Sequence, residues 1–162
     1  RLMFKGLNDI TKIDFSNFDT SKVRDMSNMF NNCGDLEEIN MKGINTSSVT
    51  TMYSMFQQCI KLTSLDLSDF DTSSVDNMKN FFSECRKLEF LDISNFNTYK
   101  VKDMSGMFQC CEKMASIDLS NFEMNEVNIN TMFKSCYKVK SIKLSKEKHL
   151  IVKNIEATFQ DC

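Results

Sequence analysis

Apolar and polar residues alternate along Leu65-Asp66-Leu67, and the rhythm then changes. Val75, Met78, Phe82 and Cys85 fall at i, i+3, i+7 and i+10. Alternation is the signature of a half-buried strand, whereas the second spacing turns one face of a helix inward. Both rhythms recur along the chain. The strand-like pairs are Ile13/Phe15, Ile39/Met41, Leu91/Ile93, Ile117/Leu119 and Ile142/Leu144. Ahead of the helical rhythm stands Asp71-Thr72-Ser73, echoed by Asp19-Thr20-Ser21, Asn45-Thr46-Ser47 and Asn97-Thr98. Side-chain oxygens of this kind cap the free N–H groups of a helix's first turn. The pattern predicts a strand, a turn, a helix of about three turns that is partly 3₁₀, and a second turn.

The unit repeats with a fixed period. Phe4, Phe30, Phe56, Phe82, Phe108, Phe133 and Phe159 stand 26, 26, 26, 26, 25 and 26 residues apart. Cys33, Cys59, Cys85, Cys111, Cys136 and Cys162 keep the same beat, with Leu7 in the first slot, as do Val23, Val49, Val75, Val101, Val127 and Val152. The single missing residue lies between Val127 and Ile129. The unit reads C-x-x-L-x-x-L-D-L-S-x-F-[DN]-T-S-x-V-x-x-M-x-x-M-F-x-x-C. It degrades in the fifth copy (NFEMNEVNINTMF) and loses its F-D-T-S stretch to KEKHL in the sixth.

A period of this length belongs to leucine-rich repeats, whose units bury their apolar side only by stacking. The expected fold is an α/β repeat solenoid of leucine-rich-repeat type with about six coils. Short parallel strands line one side and short helices the other. Residues 1–162 form a single solenoid without a linker, read as part of a longer array. At about 4.8 Å per coil the stack is ~30 Å long.

Composition narrows the chemistry. The 162 residues carry a net charge of -2, no Pro, no Trp, 12 Met, 14 Phe, seven Cys and one His, His149. One histidine excludes a multi-histidine metal site and leaves little for a His-based dyad. No apolar run is long enough to cross a bilayer, so no direct membrane insertion is expected, and no signal peptide is visible. The cysteines recur every coil on the inward face, never at metal-knuckle spacing, so they read as small buried hydrophobes. Cys110, next to Cys111, reads as outward and reactive. Met26, Met52, Met78 and Met104 hold one repeat position and read as core rather than as soft-metal ligands. The threonine row Thr20, Thr46, Thr72 and Thr98 suggests a flat face, but capping accounts for it with fewer assumptions. No cofactor and no metal are expected.

The outward strand positions are the candidate binding face. They are Lys12, Asp14, Glu38, Asn40, Ser64, Asp66, Phe90, Asp92, Ser116 and Asp118. One row, Asp14 to Asp118, is nearly uniform, and the other changes type from coil to coil. Six to eight oxygens surround each calcium ion, which one carboxylate per coil does not supply. Charge is uneven: residues 134–153 hold seven Lys against one Glu, net +6, and the remainder is -8. Without interleaved aromatics this basic end is read as solvated, and no nucleic acid is expected. Repeated carboxylates on an open face make no pocket, so no enzyme is expected.

The string F-D-T-S-K-V-R-D-M-S-N-M-F-N-N-C (Phe18 to Cys33), with L-x-x-L-D-L-S-x-F-D-T-S-x-V (Leu62 to Val75), resembles the BspA-like leucine-rich repeat surface proteins. It is closer still to their mycoplasma-type lipoprotein branch. The module is expected to be monomeric. The resemblance implies a non-enzymatic module on the cell surface or secreted. It further implies adhesion or protein and matrix binding to a protein or glycan ligand on a host or neighbouring cell. The alternative is a structural stalk or spacer without its own ligand. No catalytic residues belong to the pattern.

Overall fold

The computed structural model describes residues 3–145, 151–154 and 156–162, the 151–154 segment by its backbone. The strand side carries β1 (Lys12–Asp14), β2 (Glu38–Asn40), β3 (Ser64–Asp66), β4 (Phe90–Asp92) and β5 (Ser116–Leu119). β6 (Asn125–Asn128) follows on the opposite side, then β7 (Ser141–Leu144) and β8 (Ile151–Asn154). Pairing is parallel and follows the sequence period: Ile13 faces Ile39, Leu65 faces Leu91, Ile117 faces Ile142. The strands form two-stranded pieces, β1-β2, β3-β4 and β5-β7, rather than one continuous sheet.

The expected helices are not there. Among the described residues no segment is helical, and the helical half of each coil is a chain of tight turns. Met26, Asn28, Phe30 and Asn32 donate backbone N–H bonds to Thr51, Tyr53, Met55 and Gln57 of the next coil, at 2.8–3.1 Å. The residues between them, Met29, Asn31 and Cys33, donate to the carbonyl three residues back. The next seams repeat this division of donors, down to Phe133 and Ser135 on Thr158 and Gln160. Two observations explain why a helix is excluded. Residues at two fixed positions per coil have φ between 52° and 64°: Asn28/Asn32, Ser54/Gln58, Asn80/Glu84, Gly106/Cys110, Thr131/Ser135 and Ala157/Asp161. A right-handed helix tolerates no such residue. Moreover, the coils are hydrogen-bonded here at strand spacing, about 4.8 Å, whereas neighbouring helices need 8–10 Å.

The missing residue of the fifth coil is absorbed locally. Val127 pairs with Val152, the register shifts on both sides of Val127, and Glu126 takes φ 55. Two opposite register shifts, one on each side of Val127, thus keep the valine column in line.

The core is a set of ladders. Phe4, Phe30, Phe56, Phe82, Phe108, Phe133 and Phe159 stack ring on ring at 5.3–6.0 Å and 3–15°. The column is buried from Phe30 to Phe133, while Phe159 in the last coil is 62% exposed. Val49 to Val127, Met26 to Met104, Leu36 to Leu88 and Phe70 to Phe122 make parallel buried columns.

The D-T-S stretch has no helix to cap and does two other jobs. Asp19, Asn45, Asp71 and Asn97 accept the N–H two residues on, closing a corner. Thr20, Thr46, Thr72 and Thr98 turn inward and are buried. Each hydroxyl donates to a backbone carbonyl of the next coil and accepts that same residue's N–H. Thr72 does so with Asn97, at 2.9 and 2.8 Å. One side chain thereby replaces a pair of ladder bonds at the corner.

Candidate functional site

Period-2 alternation projects one side chain at each end of every short strand away from the core. Lys12, Glu38, Ser64, Phe90 and Ser116 form the first outward row, and Asp14, Asn40, Asp66, Asp92 and Asp118 the second. All ten are exposed. The second row is more than a solvated edge. Asp14, Asn40, Asp66, Asp92 and Asp118 each accept the N–H two residues on, from Ser16, Lys42, Ser68, Ser94 and Ser120, at 2.8–3.1 Å. Each therefore ends its strand with an Asx turn. The Ser16 and Ser68 donors hold the Asp14 and Asp66 carboxyls below their usual range. Lys143, helped by Ser120, lowers Asp118 to about 2.

Charge is balanced at the two ends of this face and unbalanced in its middle. Lys12 pairs with Glu38 at 2.7 Å, and the Asn40 amide donates to Asp14 at 3.1 Å. Lys143 pairs with Asp118 at 2.7 Å. Between them Asp66 stands directly across from Asp92, and Ser64 across from Phe90. Among the described residues Asp66, Glu89 and Asp92 have no cationic side chain within ion-pair distance. Phe90 is 71% exposed. These residues line an open groove of about 560 Å³ together with Ser116, Ile117 and Asp118, across the boundary where β4 and β5 do not pair.

The cysteine column is structural chemistry. Cys59, Cys85 and Cys111 are buried, and their thiols donate to the carbonyls of Phe30, Phe56 and Phe82 in the preceding coil at 3.1–3.3 Å. Burial pushes these thiols well above their ordinary range and Cys136 up to about 12. The thiolate, which is the reactive form, is thus suppressed. Cys110, expected to be outward and reactive, is instead half-buried in a left-handed turn, and burial raises its thiol as well. Among the described residues no cluster of three His, Cys, Asp or Glu side chains is arranged to hold a metal ion.

Of the basic end, Lys134, Lys138, Lys140 and Lys143 are in place; residues 146–150, with His149, lie outside the described residues. Sequence reasoning missed the threonine bridges and the left-handed turns. A usable signal was present for the turns: Asn28, Asn80 and Gly106, types that accept positive φ, occupy one repeat position.

Two solved structures share this architecture. The crystal structure of the leucine-rich repeat protein of T. pallidum superposes with a TM-score of 0.64 at 20% identity. It matches 98% of this chain, which spans 66% of that protein's length. A leucine-rich repeat protein from Bacteroides ovatus gives 0.51 at 18% identity, over 94% of this chain and 42% of its own. These show a fold of leucine-rich-repeat solenoid type; in this chain turns stand where helices were expected. No protein of curated function matches. A family described as "Mycoplasma protein of unknown function, DUF285" matches over residues 1–91 and again over 65–162, so the chain belongs to that family.

Proposed function

We propose that this chain is a non-enzymatic interaction module of a surface or secreted protein, and that its exposed strand face binds a protein or glycan ligand of a host or neighbouring cell. One contrast carries the reading. The inward columns stay apolar coil after coil and are buried, whereas Lys12, Glu38, Ser64, Phe90 and Ser116 run through basic, acidic, hydroxyl and aromatic side chains on a constant backbone. A frame already ordered by coil-to-coil bonds pays little further ordering cost on association. Similarity to the BspA-like surface proteins, and to their mycoplasma-type lipoprotein branch, supports the surface location and adhesion.

The test is a binding screen of the chain against extracellular-matrix proteins and a glycan array, repeated with a Phe90→Ser/Glu38→Ser variant. Ser is native to this row at positions 64 and 116, so the fold is retained. At least one ligand whose affinity falls tenfold or more in the variant is the expected result. Ligands indifferent to the variant would refute the assignment of the face. A spacer role is the second reading, favoured by the hydrogen bonds that join successive coils along the turn side. A screen without any ligand would leave that role standing.

A further inference from the structure

The middle of the strand face differs from its two ends. Four ion pairs join adjacent coils: Lys12 with Glu38, Lys61 with Asp35, Arg86 with Glu112, Lys143 with Asp118. Where β3 and β4 face one another in the groove there is none among the described residues. Asp66 and Asp92 are direct register partners and Glu89 adds a third carboxylate; the lining itself holds no cation, Lys42 acting on Asp66 only from beyond ion-pair distance and Lys143 engaging Asp118 at the groove's edge. Like charges directly opposite in a parallel pair cost stability. Beside them stands Phe90, a ring left in water where Ser64 and Ser116 hold the same position on neighbouring coils. Two independent departures, in charge and in hydrophobicity, therefore meet in one concavity. Local rules broken together with little internal compensation mark functional surfaces.

We propose that this groove receives a cationic polypeptide segment, with an Arg or Lys stem laid over the Phe90 ring and its charge between Asp92 and its acidic neighbours. The proposal rests on the binding role of the strand face and specifies the chemistry of its partner. The chemistry is complementary on each count. An alkyl stem or guanidinium plane covers the exposed ring, and a cation over an aromatic face is attracted by its quadrupole. Planar guanidinium groups also match carboxylates in bidentate geometry, so Arg is favoured over Lys. Association of this kind weakens steeply with salt.

The probe is hexa-arginine, with hexa-lysine and hexa-glutamate for comparison, titrated into the chain at 20 mM and 300 mM NaCl and followed by calorimetry and by amide chemical shifts. The repeat itself supplies clean variants. Asn40 performs in the second coil the Asx turn that Asp66 and Asp92 perform in theirs. Asp66→Asn/Asp92→Asn thus removes charge and keeps the corner, and Phe90→Ser installs the neighbouring coils' residue. Asp76→Asn, an exposed carboxylate outside the groove, is the control.

Saturable hexa-arginine binding is expected, tighter than hexa-lysine, absent for hexa-glutamate, and with shifts centred on residues 64–66, 89–92 and 116–118. The groove variants weaken it at least tenfold and Asp76→Asn changes it less than twofold. Equal weakening by the control, or shifts spread over all acidic surfaces, would show non-specific charge binding and overturn the proposal. Ca²⁺ titrated in place of peptide and producing the same localised shifts at lower concentration would assign the groove to a divalent cation instead. A neutral or acidic ligand found on this face in the screen above would sustain the face and refute the cationic partner.

Discussion

Replacing Thr72 by Val removes one hydroxyl and leaves the side chain's shape unchanged. Thr72 is 1% exposed, and its Oγ1 both donates to the Asn97 carbonyl and accepts the Asn97 N–H. Valine strands both backbone groups at once. A buried unsatisfied polar group costs about 1–3 kcal/mol. Asn97 lies at the surface, so each group falls at the low end, and the loss comes to about 2 kcal/mol. Thr72→Ser is the informative comparison, because it keeps the hydroxyl and deletes a methyl, worth about 0.8 kcal/mol. With a urea m-value of about 2 kcal/mol/M, the valine variant unfolds near 1 M lower urea than wild type and the serine variant near 0.4 M lower. Urea titration followed by far-ultraviolet circular dichroism reads both. If Thr72→Val matches or exceeds Thr72→Ser in stability, the hydroxyl bridge does not hold the corner and burial of the methyl does. Met124 occupies this column in the fifth coil, and the succession Thr20, Thr46, Thr72, Thr98 stops there.

Other outcomes follow from the same contacts. Asp14, Asp19, Asp66 and Asp71 have folded-state pKa values below 3.8, and Asp118 lies at about 2. Their stabilisation is complete above about pH 4 and is lost as pH falls toward 2. The buried thiols behave oppositely: raised in the fold, they favour it fully below the unfolded value near 9, and each loses up to about 1.4 kcal/mol per pH unit above it. Thermal melts from pH 2 to 11 should show a plateau between about 4 and 8, and a flat alkaline limb would contradict the buried thiols. Titration with a thiol reagent should label exposed Cys162 quickly, Cys110 slowly, and the five buried cysteines only in guanidinium; five or more labelled in the native protein would contradict the column. Gly106 has φ 63, and an added Cβ meets the Asn80 amide oxygen. Gly106→Val should lower the melting temperature by about 4 °C or more, because a β-branched residue is strained in this region, and an unchanged melting point would deny the left-handed turn.

The period, the number of coils and the inward residues were legible in the amino-acid sequence, because a ladder writes itself as one residue type recurring at one position. Phe30, Phe56, Phe82, Phe108 and Phe133 and the cysteines three residues after each are buried where the repeat puts them. The outward rows were equally legible, since alternation on a strand leaves no other choice. The backbone path of the second half was not. Val75, Met78, Phe82 and Cys85 sit at a spacing that one face of a helix and a run of four-residue turns satisfy alike. What separates the two is where the N–H groups of Met78, Asn80, Phe82 and Glu84 find their acceptors. In a helix these lie within the segment; here they are Asp103, Ser105, Met107 and Gln109, one coil away. The threonine bridges and the facing carboxylates Asp66 and Asp92 depend likewise on partners about 25 residues distant. Sequence fixes which side chains face inward because that is a property of one coil. Tertiary structure decides turn over helix and paired over unpaired charge because those are properties of the contact between coils.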